Sequence, residues 1–252
     1  MIRVDQVCFS FAAHAVLEEL SLDIVDSKTT VVVGRRGIGK SVLLKCITGL
    51  LRPQSGSITL DGEEVVGADR KRLLAIRTRI GMLFQEGALF DSMNVYENVA
   101  FPLVYHRRGT SREIDRKVKA YLDLVGMEES AGAMPQELSG GMKRKVAVAR
   151  AMILEPKYLL YDEPTAGLDP TSSAIVESMI RHLQSERAIT SMVVTHDIEL
   201  TRYIADRIAL LEDKRIMSIE ESGEAFTAGS PIHQHFIERR ERIRLENGSK
   251  GK

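Results

Sequence analysis

A glycine-rich run at residues 34–41 constrains the fold of this chain more than any other feature. The run fits the pattern G-x-x-x-x-G-K-S, follows the β-branched segment Thr29–Val33 and precedes a predicted helix at about Ser41–Leu50. Glycines let a backbone curl until its N–H groups point inward, and a helix that starts there adds partial positive charge. A strand, a loop and a helix in this order predict a phosphate-binding loop.

The pattern also assigns chemistry to its last residues. We predict that Lys40 reaches the β- and γ-phosphates of a nucleotide and that the Ser41 hydroxyl ligates Mg²⁺. The residues of this loop and helix start that we predict to bind the nucleotide are Gly34, Arg35, Arg36, Gly37, Ile38, Gly39, Lys40, Ser41 and Val42.

A second apolar strand, Tyr158–Tyr161, ends in two adjacent carboxylates, Asp162 and Glu163. In open parallel sheets, ligands bind beyond the carboxyl ends of the strands. Adjacent strand residues face opposite ways, so the two carboxylates can serve different purposes. We predict that Asp162 supports Mg²⁺, directly or through water, and that Glu163 polarises the attacking water as general base.

A second pair of glycines lies in the sequence Leu-Ser-Gly-Gly-Met at residues 138–142, directly before a predicted helix. Ser139 is typical of a helix N-cap, and Gly140 and Gly141 expose backbone N–H groups at the positive end of that helix. This arrangement predicts another anion site. Because one ATP needs only one phosphate cradle, the second site implies a second chain.

The order of predicted elements indicates an α/β domain with a helical insertion. Segments near the N-terminus alternate as in an antiparallel layer, and strands alternate with helices after residue 155 as in a mostly parallel sheet. The predicted strands are Met1–Phe11, Val16–Val25, Thr29–Val33, Ser57–Leu60, Ile80–Phe84, Tyr158–Tyr161, Thr190–Thr195, Ile208–Leu211 and Arg215–Ile219. The predicted helices are Ser41–Leu50, Tyr96–Leu103, Ser111–Val125, Gly140–Leu154, Thr171–Gln184 and Ile198–Ile204.

These elements divide the chain into a nucleotide-binding core, an inserted helical subdomain and a C-terminal part. The expected boundaries are about 1–88 and 156–228 for the core, about 89–155 for the helical subdomain, and about 229–252 for a C-terminal helix and tail. The tail from Glu238 to Lys252 is rich in basic residues and is expected to be a helix that frays.

Composition narrows the possible partners. The chain has 252 residues with 35 basic and 35 acidic side chains, and this zero net charge argues against a nucleic-acid binder. No apolar run approaches the length that spans a bilayer, and the N-terminus has no signal-peptide pattern. We therefore expect a cytosolic protein whose membrane role, if any, comes through a partner. The two cysteines, Cys8 and Cys46, are expected to be small core residues.

Together, these motifs resemble those of ABC transporter ATPases, with Met142 in place of the glutamine of the family's LSGGQ signature. The resemblance implies a P-loop NTPase core with an antiparallel β layer and an inserted α-helical subdomain. It also implies a homodimer that binds ATP and Mg²⁺. At the position of Arg36 the family more often has serine or asparagine. Arg35 and Arg36 either face solvent or make additional contacts to phosphates or to a neighbouring chain.

The resemblance implies further roles, residue by residue. Phe11 would stack on adenine, although a buried strand aromatic is the alternative. Gln85 would reach the metal or the water and link the core to the helical insertion. Asp169 would cross the dimer interface, and His196 would contact the γ-phosphate.

Within the family, residues 81–103, 137–144 and 160–165 resemble the MlaF branch, the ATPases of lipid transporters that serve the Gram-negative outer membrane. That resemblance implies a location on the cytoplasmic face of the inner membrane and an MlaE-like permease. It also implies a periplasmic MCE-domain lipid-binding protein and a possible STAS-domain regulator. Three alternatives stay open: an ATPase of an amino-acid or methionine importer, a soluble ABC ATPase outside transport, and a non-hydrolysing regulatory module.

Overall fold

The computed structural model describes residues 1–85 and 87–237, which form two sheets with helices around them. The strands are β1 Ile2–Phe11, β2 His14–Ile24, β3 Thr29–Val33, β4 Ser55–Leu60, β5 Glu63–Glu64, β6 Ile80–Leu83, β7 Tyr158–Asp162, β8 Thr190–Thr195, β9 Arg207–Glu212 and β10 Arg215–Glu221. The helices are α1 Lys40–Ile47, α2 Arg70–Arg77, α3 Val95–Tyr105, α4 Ser111–Leu124, α5 Gly140–Met152, α6 Pro170–Arg187, α7 Ile198–Ile204 and α8 Ser222–Ala225.

The larger sheet has six strands in the order β10-β9-β3-β8-β7-β6, and all of its neighbours except β10 and β9 pair in parallel. Strands β3, β7 and β8 are buried along their whole length, as their apolar and β-branched sequences require of a sheet covered on both faces. The mostly parallel sheet predicted from the sequence is confirmed.

The smaller sheet has four strands in the order β2-β1-β4-β5 and is antiparallel throughout. Its apolar side chains share one core with α1 and with one face of the larger sheet. The other face of the larger sheet packs in a second core with α3, α4, α5 and α6. Within residues 1–85 and 87–237, no helix is both long and apolar enough to span a bilayer.

Helices α3 and α4 of the insertion begin at capping boxes that their sequences encode locally. Asn94 and Glu97 exchange side-chain and backbone hydrogen bonds at the start of α3, and Thr110 and Glu113 do the same at the start of α4. Helix α5 packs closely against the larger sheet at Gly81, where an added Cβ would lie 2.4 Å from a backbone oxygen of α5.

Most predicted elements agree with the structure within a few residues, and the differences are local. Helix α6 continues to Arg187, and α5 ends at Met152 rather than Leu154. The sequence analysis does not predict α2, α8 or β5. Residues 231–237 are helical, whereas the predicted tail from Glu238 to Lys252 lies outside the described residues. The proposed division into core and helical subdomain stays a prediction.

We expect Gly81→Ala to destabilise the fold by about 1–3 kcal/mol, because the new methyl group would collide with Ala151 and Leu159. Gly132→Ala is the matched control, since an added Cβ there meets no atom within 4 Å. Urea unfolding of both variants measures the difference. Equal midpoints for the two variants would show that β6 and α5 are not packed as closely as described.

Candidate functional site

The phosphate loop is held between neighbouring strands at positions that only glycine can occupy. An added Cβ at Gly34 would lie 2.5 Å from the carbonyl oxygen of Leu211 at the end of β9. Gly39 has a φ of 117°, and its Cβ would lie 2.9 Å from Val16 on β2. Both sheets therefore shape the loop, one at each end.

Lys40 begins α1, and its ammonium group folds back over the loop. It donates hydrogen bonds to the carbonyl oxygens of Gly34 at 2.9 Å and Arg35 at 3.0 Å. It also lies 3.5 Å from the Glu163 carboxylate, and the Lys40 side chain is only 5% exposed. A buried cation is thus held where the loop N–H groups converge, as the sequence predicts for a phosphate contact.

Asp162, the last residue of β7, accepts a hydrogen bond from the Ser41 hydroxyl at 2.8 Å. Burial raises the pKa of Asp162 above its ordinary value, and the Ser41 hydrogen bond offsets only part of that rise. The contact brings together the two oxygen donors that the sequence predicts for Mg²⁺. Hard oxygen donors such as these suit that ion, which in proteins is commonly bound by one or two carboxylates and the phosphates of its substrate.

Glu163 lies just beyond β7 with a φ of 47°, a conformation that is strained for a residue other than glycine. Its carboxylate accepts hydrogen bonds from the Thr195 hydroxyl at 3.0 Å and from the His196 backbone at 3.3 Å. The Nδ1 atom of His196 lies 2.8 Å from the other carboxylate oxygen. Burial would raise the pKa of Glu163, but His196, Lys40 and Thr195 together outweigh it, so the pKa lies below its ordinary value.

These groups face one cavity of about 560 Å³. It is lined by Phe11, Val16, Arg36, Gly37, Gly39, Lys40, Ser41, Val42, Gln85, Glu163 and His196. The structure therefore brings together the predicted phosphate loop, general base, histidine, glutamine and aromatic residue. Phe11 is 52% exposed at the edge of this cavity, so the alternative of a buried strand aromatic is wrong.

Arg35 and Arg36 differ in their surroundings. Arg35 lies 3.8 Å from the Glu212 carboxylate at the end of β9 and does not line the cavity. Arg36 is exposed and lines the cavity.

The second predicted anion site lies elsewhere in the chain. Ser139 caps α5 by accepting a hydrogen bond from the Met142 backbone at 3.3 Å, as expected. Gly140 lines an adjoining cavity of about 680 Å³, which shares Arg36 and Gln85 with the cavity that contains Lys40. None of Ser139, Gly140 or Gly141 lines the cavity that contains Lys40.

Asp169 is also outside the cavity that contains Lys40. It caps α6 through hydrogen bonds from the backbone at 3.0 Å and the hydroxyl at 2.6 Å of Ser172. These hydrogen bonds hold the pKa of Asp169 below its ordinary value.

Sequence reasoning misses two side chains, the buried Asn98 and the half-buried Arg150, that hold the segment after Gln85. Asn98 is fully buried in α3 and bonds to the backbone N–H of Phe90 at 2.8 Å and to the Met93 carbonyl at 2.9 Å. Arg150 donates to the carbonyls of residues 87 and 88 at 2.8 and 2.9 Å. Burial lowers the pKa of Arg150 to about 10. The sequence signal that could identify both residues is a polar side chain within an otherwise apolar helical pattern.

The side chain of Arg144 on α5 is buried and joins the segment before Gln85 to the segment that leads to Asp169. It donates to the carbonyl of Phe84 at 2.7 Å and to that of Ala166 at 3.4 Å. Among the described residues, no group of three or more His, Cys, Asp or Glu side chains could hold a metal ion by itself.

A family model described as ABC transporter matches residues 17–166. The chain belongs to the ABC transporter family. It is therefore an ATP-binding, ATP-hydrolysing subunit of a transporter, and the family, fold class and activity expected from its motifs are confirmed.

Two similar proteins and two similar structures illustrate the range of the family. The intermembrane phospholipid transport ATP-binding protein MlaF of Escherichia coli K12 is 39% identical over 218 residues, which are 86% of this chain and 81% of MlaF. The probable ribonucleotide transport ATP-binding protein mkl of Mycobacterium leprae is 38% identical over 236 residues, which are 94% of this chain and 68% of mkl.

Two solved structures share this fold. The dimeric structure of MJ0796 in a post-hydrolysis state with ADP and Pi has a TM-score of 0.81 at 30% identity, over 88% of this chain and 99% of that chain. The structure of cbiO1 from Clostridium perfringens, part of a cbiONQ transporter complex, has a TM-score of 0.82 at 28% identity over 98% of each chain.

We expect Asn98→Ala to cost about 3 kcal/mol of stability, because it removes the hydrogen bonds that the Asn98 side chain makes to the backbone of Phe90 and Met93 and to Arg150. Asn94→Ala serves as the comparison. This substitution removes only the N-cap of α3, which should cost about 1 kcal/mol of stability. Chemical denaturation of both variants separates these values, and a smaller loss for Asn98→Ala than for Asn94→Ala would contradict the network.

Proposed function

We propose that two copies of this chain bind two ATP molecules head to tail, each between Lys40 of one protomer and Ser139 of the other. The observation that carries this proposal is that Lys40 and Gly140 of one chain line different, adjoining cavities. A second protomer can supply Ser139, Gly140, Gly141 and Asp169 to the cavity that contains Lys40. The dimeric state of the MJ0796 cassette supports the same arrangement.

Within each site, the roles follow from charge and geometry. Lys40 and the loop N–H groups stabilise the β- and γ-phosphates, and Arg36 lies at the same cavity. Glu163 is an ionised carboxylate at neutral pH because its pKa lies below the ordinary value, so it can accept a proton from the attacking water. Thr195 and His196 hold that carboxylate in place, and His196 also faces the position of the γ-phosphate.

Other residues complete the proposed site. Asp162, Ser41 and Gln85 would hold Mg²⁺, which neutralises charge on the phosphates when it is bound. Phe11 offers an exposed ring on which adenine can stack. Closure of the dimer on ATP and its reopening after hydrolysis would drive the permease, because ATP contacts differ between the closed and open states.

We expect Glu163→Gln to bind ATP as the unchanged chain does but to lose nearly all turnover, by about 10²-fold or more, because the amide cannot accept the proton. Size-exclusion chromatography with ATP should show a trapped dimer. Glu186→Gln, on an exposed position of α6, is the control and should hydrolyse ATP normally. Normal phosphate release by Glu163→Gln would exclude Glu163 as the base.

For the cargo, we propose phospholipid trafficking between the inner and outer membranes, with this subunit at the cytoplasmic face of the inner membrane. The similarity to MlaF supports this cargo. On this proposal the partners are an MlaE-like permease, an MCE-domain lipid-binding protein and a STAS-domain regulator. The name of the mkl relatives refers to ribonucleotide transport, which supports a second candidate cargo.

Helix α3 offers a surface for such a permease. Phe90, Val104 and Tyr105 are each at least 41% exposed, and the rings of Phe90, Phe101 and Tyr105 follow one another at centroid distances of 4.7 and 5.8 Å. Exposed aromatic side chains in such a cluster are common at protein interfaces.

Purification of the native complex, followed by lipid extraction and mass spectrometry, tests the cargo. We expect a permease and a lipid-bearing MCE-domain protein to co-purify with the tagged chain. Recovery of a complex that carries nucleotides or an amino-acid-binding protein, without bound phospholipid, would contradict the lipid proposal and leave the ATPase assignment intact.

A further inference from the structure

A buried arginine joins three segments of the proposed ATP site. Arg144 lies in the first turns of α5, five residues after Ser139, and is 4% exposed. One guanidinium nitrogen donates to the Phe84 carbonyl at 2.7 Å, directly before Gln85. The other donates to the Ala166 carbonyl at 3.4 Å, at the start of the segment that leads to Asp169.

The chemistry of arginine suits it to this bridge. A guanidinium group is planar and presents separate N–H donors in a fixed fork, so one side chain can bond two carbonyls on different segments. Lysine ends in a single nitrogen and cannot reproduce both bonds with the same geometry. Because burial of a charge is costly unless it is hydrogen-bonded, the guanidinium and the two segments hold one another in place.

The start of α5 also packs on the segment after Ala166, since an added Cβ at Gly140 would lie 3.2 Å from Leu168 and one at Gly141 would lie 2.6 Å from the Ser172 hydroxyl. A cavity of about 680 Å³ lies among Gln85, Gly140, Ala166 and Leu168, and Arg144 is part of its wall. The bonds from the guanidinium therefore connect segments that line this cavity. A shift of Gln85 would pull on Arg144, and through it on both the start of α5 and the segment after Ala166.

We propose that Arg144 is a positioning residue that couples Gln85 to the Ala166–Asp169 segment and to the start of α5. This inference rests on the proposed function. It adds a physical link between Gln85, which would reach the metal or the water, and the two segments that would meet the partner protomer. Arg150 on the same helix differs, because its bonds go to residues 87, 88 and Asn98, which do not include the dimer-facing segments.

The test compares Arg144→Lys, Arg144→Ala and the control Lys145→Gln in the full-length chain. Lys145 follows Arg144 in α5, but its ammonium group lies beside Gly126, away from both carbonyls. We expect all three variants to bind ADP within about twofold of the unchanged chain, because the phosphate loop is intact. We expect the two Arg144 variants to lose about tenfold or more in kcat and to need more Mg²⁺ for half-maximal rate, while Lys145→Gln keeps both values.

Added methylguanidinium should restore part of the rate of Arg144→Ala, because the adjoining cavity admits the small cation, but it should not affect Lys145→Gln. A kcat and Mg²⁺ dependence of the Arg144 variants equal to those of the unchanged chain would overturn the inference. Parallel loss of ADP binding and thermal stability without rescue would also overturn it, since that result describes a general structural role. An unchanged chain that hydrolyses no ATP would overturn the proposed function and this inference together.

Discussion

The register of three parallel strands determines where every part of the nucleotide site lies. Val33 at the end of β3 pairs with Thr195 at the end of β8, and Asp162 at the end of β7 pairs with Val194. The phosphate loop, the carboxylates and His196 therefore leave the same edge of the sheet side by side. A slip of one residue in the register of β7 would turn Asp162 and Glu163 each to the face opposite its present one. It would also separate the Asp162 carboxylate from the Ser41 hydroxyl.

The charged side chains of the site have partners within the protein. Lys40 bonds to carbonyls of the loop and lies near Glu163, while Ser41 donates to Asp162. A triphosphate with its metal would replace these contacts with stronger ones to phosphate oxygens. Binding would therefore exchange the internal partners of these side chains for the substrate.

Local sequence predicts the features that depend on local physics. The glycine pattern, the strand that ends in Asp162 and Glu163, and the Ser139 cap each occupy a few consecutive residues, and the structure places them as expected. Helix α2 was not predicted, because it is short and mostly polar. Whether Phe11 is buried could not be decided from its strand, because its exposure depends on where the two sheets meet the cavity.

Residues that act at long range are invisible to the same reasoning. Arg144 bonds to residues 60 and 22 positions away along the chain, and Asn98 is bonded by Arg150, 52 positions away. A helical pattern marks such residues as unusual but does not say which carbonyls they meet. The same reasoning cannot place the contacts proposed for Ser139, Gly140 and Gly141, because those contacts are made to the nucleotide of a second protomer.

Mixing two inactive variants tests the shared site most directly. Lys40→Met removes the ammonium from one half of each site, and Ser139→Asp keeps a good helix cap but places a carboxylate against the phosphates in the other half. Each variant alone should be inactive, whereas a 1:1 mixture should regain about a quarter of the normal ATPase rate, because half of the dimers would contain one intact site. A mixture as inactive as its two components would contradict a site built from two chains.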